Sequence, residues 1–110
     1  MRENMAYSVN RTQGFESDFD DALAYLAGEL KSPQAALSLI DEMEKAIAFL
    51  GSQPYSHAVS RKPRFAERSY REHFVKGYVI VYRIIGEEVL FLRFFHQMQL
   101  YERFVMEWDQ

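Results

Sequence analysis

The chain has 110 residues, no cysteine, 48% apolar and 15% aromatic residues, and a net charge of −3. That length makes one domain able to bury roughly 65% of its unfolded surface, and a composition so rich in apolar and aromatic groups excludes intrinsic disorder. Without cysteine there is no disulfide framework, thiol nucleophile or thiolate metal site, and no run approaches the roughly eighteen apolar residues of a membrane span. No basic-then-apolar leader opens the chain, so no signal peptide is read and the cytoplasm is the expected compartment.

One domain is expected over residues 1–110, with Met1 to Ala6 as a loose leader. Tyr7-Ser-Val-Asn alternates and reads as a short first strand. Thr12 is placed to cap a helix whose early Glu16 and Asp18 favour the macrodipole. Phe15, Phe19, Ala22, Leu23, Leu26 and Leu30 give that helix one apolar stripe. Asp18, Asp20, Asp21 and Glu29 fall largely off it, match no metal-loop motif, and read as a solvated face. Ser32-Pro33 restarts a helix, serine as N-cap and proline in the first turn. Its buried face is read as Ala36, Ile40, Met43, Ile47 and Leu50, with Gly51 as its stop. Two helices so closely joined should pack antiparallel on one face of a sheet.

Ser52 to Ala66, with Pro54 and Pro63, is read as the longest irregular segment. It leads into a basic strip, Arg61, Lys62, Arg64, Arg68, Arg71 and Lys76, opposed only by Glu67 and Glu72. Residues 1–60 balance at −5 (four Lys/Arg, nine Asp/Glu) and residues 61–110 at +2 (nine, seven). The strip either steers an anionic partner or keeps a loop solvated.

Three strands follow. Ser69 to Phe74 alternates, with Tyr70, Glu72 and Phe74 on one face and Arg71 and His73 on the other. Tyr78 to Ile85 and Val89 to Phe95 are nearly unbroken apolar runs separated by Gly86-Glu87-Glu88, the pattern of a hairpin of central strands covered on both faces. Met98, Tyr101, Val105 and Trp108 then recur at helical spacing, predicting a short C-terminal helix that packs on the sheet or serves a partner. The predicted class is α+β: a strand, an antiparallel helical hairpin, an antiparallel sheet whose last three strands form a meander, and a short final helix.

Chemistry has to come from the sheet and its rim. His57, His73 and His96 lack short-range metal-ligand spacing, and there is neither a phosphate loop nor a nucleophile elbow. No cofactor or metal is therefore expected. What the residue types permit is metal-independent RNA cleavage, with His96 as acid or base, Arg71 and Arg93 as phosphate clamp, and Lys76 and Tyr101 in support. The competing reading makes His96 a strand-end residue bonded to a carbonyl, and makes Arg71 and Arg93 partners of Glu72 or of the acidic helices. In a regular strand Arg93 and His96 face opposite ways; they converge only if the strand bulges near Phe94-Phe95 or His96 belongs to the turn.

An arginine seven residues before a strand-opening Gly-Tyr, then Y-x-I-x-Y-R, then an apolar strand ending R-x-x-H-x-x-x-x-Y, resembles the RelE/ParE superfamily of bacterial type II toxins. Here these positions are Arg71, Tyr78, Tyr82, Arg83, Arg93, His96 and Tyr101, and the resemblance spans nearly the whole chain. It implies a growth-inhibiting toxin of a plasmid-stabilisation type, held inactive by a cognate antitoxin. ParE-like members are described as inhibitors of DNA gyrase, and RelE-like members as ribosome-dependent mRNA endonucleases. Where nuclease members carry an arginine after the strand-opening tyrosine this chain has Val79, and Tyr70 and Glu72 stand where they carry lysines. The resemblance thus implies a ParE-like toxin first, with an endoribonuclease using Arg71, Arg93 and His96, or an inactive antitoxin-binding homologue, as alternatives.

Overall fold

The computed structural model describes residues 6–97. The leader and the expected helix carrying Tyr101 lie outside the described residues, apart from Ala6. Strand β1, Ser8–Arg11, leads into helix α1, Gln13–Ala24, which Thr12 caps by accepting the Phe15 N–H at 3.0 Å. The last turn of α1 widens into a π-helical segment, Tyr25–Glu29, where the Leu30 N–H reaches the Tyr25 carbonyl at 3.0 Å. Lys31, at φ +51°, reverses the chain into helix α2, Pro33–Ser52, capped by Ser32 as expected.

The buried seam of α2 is Ala36, Leu39, Met43, Ala46 and Leu50, with Ile40 left exposed. Both this seam and the expected one keep three- and four-residue spacing; the adjacent apolar residues Leu39 and Ile40 allow either, and the sheet selects the rotation. Gly51 does not stop the helix. It lies buried inside its last turn, where its carbonyl accepts the Tyr7 N–H at 3.1 Å, and the cap falls at Gln53. The segment expected to be irregular contains a 3₁₀ turn at Pro54–Ser56 and a short helix α3, Pro63–Glu67, whose Pro63 sits in the first turn.

Strands β2 (Arg71–Val75), β3 (Tyr78–Ile85) and β4 (Glu88–His96) form the antiparallel meander. Two-residue turns join them. Lys76 and Gly77 both have positive φ, as a type I′ turn requires, and Gly86 at φ +61° opens the second. β1 joins β4 in parallel, because the two helices carry the chain across before it enters the meander. The sheet is therefore mixed, in the order β1-β4-β3-β2.

Both faces of β3 and β4 are covered, as their continuous apolarity predicted. On one face α1 and α2 set Phe15, Leu39, Met43 and Leu50 against Ile80, Tyr82, Val89 and Phe91. On the other, Phe65 of α3 and Tyr70 lie against Val79, Val81, Leu92 and Phe95. Strand alternation is interrupted once. Val81 pairs with Arg93 but Tyr82 with Phe91, so Leu92 is an extra residue in β4, a bulge.

Candidate functional site

β4 outruns β1. Among the described residues its outer edge beyond Phe91 faces no strand, and the start of α1 closes it instead. The Thr12 N–H donates to the Phe91 carbonyl at 3.0 Å, and the Thr12 hydroxyl donates to the Leu92 carbonyl at 2.7 Å. One turn on, Asp18 accepts the Phe94 N–H at 3.0 Å and also the Arg93 fork, Nε at 2.6 Å and Nη2 at 2.9 Å. Gly14 makes room for that side chain: a Cβ there would stand 3.1 Å from Arg93 Cδ. Asp18 therefore departs from the solvated face assigned to its group. Its carboxylate acts as a substitute for the missing stretch of β1, while Asp20 and Asp21 remain exposed.

The bulge precedes Arg93 rather than falling at Phe94-Phe95, so Arg93 and His96 still issue from opposite faces. His96 is the last strand residue, paired with Tyr78 and edge-on to its ring at 5.4 Å. They approach each other around the open edge, where both line a hollow of about 480 Å³ with Asp18, Asp21, Ala22, Tyr25, Tyr78, Phe94 and Phe95.

Arg71 stands elsewhere. From β2 it pairs with Tyr82 of β3, so β3 lies between it and β4, and it sits toward the opposite end of the sheet from His96. Its guanidinium donates to the His57 carbonyl and covers the Tyr55 ring at 4.9 Å. The structure thus groups Arg93 with His96 and leaves Arg71 apart. Lys76, in the β2–β3 turn, lines a separate hollow with Leu26, Leu39 and Tyr78. In the basic strip Lys62 pairs with Glu72 at 2.9 Å, and Arg61 and Arg64 are exposed.

Two groups escaped the sequence. Asp18 gave only the weak signal of a carboxylate three residues after Phe15 and next to Phe19, both on the aromatic stripe. His57 and His73 meet at 2.8 Å, Nε2 to Nδ1, from a loop and a strand sixteen residues apart, and no local spacing announces such a pair. Burial and the neighbouring His57 hold the His73 imidazole below its ordinary pKa. Burial pushes the Tyr82 phenol, which donates to the Pro54 carbonyl at 2.7 Å, up to about 12.

The fold is that of a small α+β toxin: one strand, a helical hairpin and a meander whose rim, not a deep cleft, carries the charged side chains. The chain belongs to the ParE toxin family of type II toxin-antitoxin systems, whose family model (ParE toxin of type II toxin-antitoxin system, parDE) matches residues 9–101. Among solved structures it is similar to a chain of the chromosomal ParDE TA system from P. aeruginosa, at TM-score 0.65 and 18% identity, covering 86% of this chain and 98% of that one. No curated protein matched. No described helix is long and apolar enough to cross a membrane.

Proposed function

We propose that this toxin arrests growth by binding a cellular protein, with DNA gyrase as its target, and that a cognate antitoxin masks it. The observation that carries the reading is the commitment of the two arginines expected to clamp phosphate. Arg93 is forked onto Asp18, and Arg71 is fastened to the His57 carbonyl two strands away. Cations used this way hold the fold, and they do not converge on one phosphate as phosphoryl-transfer chemistry requires.

Antitoxin docking is supported by the apolar surface left on the helical hairpin, where Tyr25, Leu30, Leu37 and Ile40 are exposed. An amphipathic helix with apolar groups at three- and four-residue spacing is the partner such a surface takes.

One observation favours the ribosome-dependent endoribonuclease as a second reading: Arg93 and His96 line the same hollow, of about 480 Å³. That reading assigns the chemistry on ribosome-bound mRNA to Arg71, Arg93 and His96, with Lys76 and Tyr101 in support, and of the three only Arg93 and His96 meet at this hollow. Purified chain assayed for inhibition of gyrase supercoiling and for cleavage of mRNA on translating ribosomes separates the two. Inhibited supercoiling with intact mRNA is expected. Cleaved mRNA would replace the proposal with the nuclease, and inertness in both assays with retained antitoxin binding would mark an inactive homologue.

A further inference from the structure

The His57–His73 pair serves neither reading. The two rings come from different elements and meet nitrogen to nitrogen. His57 belongs to the loop after the 3₁₀ turn, and His73 to the middle of β2. Both backbones are tied to β2: the Arg71 guanidinium on that strand grips the His57 carbonyl, and His73 itself pairs with Ile80 of β3. The His73 ring is stacked on Phe49 of α2 at 5.6 Å, and the His57 ring tilts against the same phenyl at 6.3 Å.

We propose that His57 and His73 form a two-imidazole site for a first-row transition-metal ion, Zn²⁺ or Cu²⁺. The facing nitrogens are 2.8 Å apart. On a tetrahedral zinc with Zn–N bonds of roughly 2.0–2.1 Å they would stand about 3.3 Å apart, so the nitrogens part by about half an ångström and the rings tilt until both lone pairs converge on the ion. In the metal-free pair one facing nitrogen carries the proton of the hydrogen bond. When the ion enters, that proton moves to the far nitrogen of its own ring, which frees both facing lone pairs without loss of a proton.

The class of ion follows from the donors. Two neutral imidazoles suit the borderline ions at the upper end of the affinity series and not Mg²⁺ or Ca²⁺, which require oxygen. Among the described residues no third histidine, cysteine or carboxylate joins the pair. Water therefore completes the coordination, and the nearby Arg71 charge keeps the affinity moderate. Access is from the hollow of about 220 Å³ beside His73, whose walls include Glu42, Lys45 and Phe49. An ion bound there pins the segment that follows α2 to the outer strand of the sheet. It would stabilise the fold by an amount that grows with the logarithm of its free concentration above Kd, through binding the native state alone.

The test uses the full chain without a polyhistidine tag. Titration with Zn²⁺ should give a saturable one-to-one isotherm at micromolar ion and raise the Tm by several degrees, reversed by EDTA. His57→Gln and His73→Gln should each weaken binding by roughly tenfold or more, the scale of loss seen when a site's supporting groups are removed. In case either variant misfolds, the unmutated chain is treated with diethylpyrocarbonate with and without Zn²⁺. Protection of His57 and His73, with His96 still reactive, supports the site. Binding that survives His73→Gln in a folded protein, or zinc that leaves both histidines reactive, overturns it.

Discussion

Asp18→Ala is the perturbation whose cost can be worked out most directly. The substitution removes one carboxylate and three hydrogen bonds at once, two from Arg93 and one from the Phe94 N–H. Breaking a fully buried ion pair costs roughly 3–5 kcal/mol, whereas an exposed pair contributes roughly 0–1. With Asp18 14% and Arg93 28% exposed, the fork falls between these limits, at about 2 kcal/mol. The Phe94 N–H, left without its acceptor at a partly wet edge, adds roughly 1 kcal/mol. The expected total is about 3 kcal/mol, a fall in Tm on the order of 10 °C for a domain of this size. Urea unfolding followed by circular dichroism measures it, with Arg93→Met and the double variant completing a cycle whose coupling should reach about 1–2 kcal/mol. A loss under about 0.5 kcal/mol, the scatter expected of an ordinary surface site, would refute the idea that Asp18 closes the edge of β4.

Gly14→Ala should destabilise the protein by crowding Arg93, yet stabilise it in an Arg93→Ala background, where only the helix-propensity gain of up to about 1 kcal/mol remains; denaturant midpoints in both backgrounds read the reversal of sign. Tyr82→Phe should cost roughly 1 kcal/mol near neutral pH by losing the bond to the Pro54 carbonyl. It should also flatten the alkaline limb of the stability curve. The folded phenol ionises near 12 against 10 when unfolded, so its contribution is intact below pH 10 and declines by up to about 3 kcal/mol by pH 12; equal slopes for both proteins would contradict this. Val81→Asp places a charge at a fully buried position of β3 and should cost several kcal/mol, so a soluble, cooperatively melting variant would count against the described core. His96→Gln should leave growth inhibition nearly intact. An activity loss of roughly a hundredfold at unchanged Tm would instead mark His96 as a proton-transfer group.

What could be read from the residues was whatever is encoded over short distances. Thr12 and Ser32 announce helix starts because capping is a contact within one turn. The meander was legible because β3 and β4 are apolar on both faces and the intervening turns are built from glycine. The rotation of α2 was not legible, since Leu39 and Ile40 are both apolar and only the sheet decides which one it buries. Helix α3 escaped notice because five residues are too few to show a period, although Pro63 was a usable signal. The site residues divided in the same way. An acidic-helix partner for Arg93 was foreseeable from charge alone, but the choice of Asp18 depends on β1 ending early. The His57–His73 contact depends on how a loop folds back on β2, which no window of sequence contains.

The extra residue at Leu92 has a further effect, on the chain's choice among pairings. In a strand as apolar as β4 but without a bulge, a slip of one residue against β3 would exchange one apolar face for another at little cost, leaving register weakly specified. The bulge divides β4 into two stretches of opposite phase, with Val89 and Phe91 turned to the helices in the first and Phe94 in the second. A shift that suits one stretch turns the other over, exposing Phe94 to the wrong layer or forcing Arg93 toward the helix-side core. Only one alignment satisfies both halves. The irregularity therefore works as a latch on the strand pairing, allowing the sheet to be hydrophobic on both sides without becoming ambiguous.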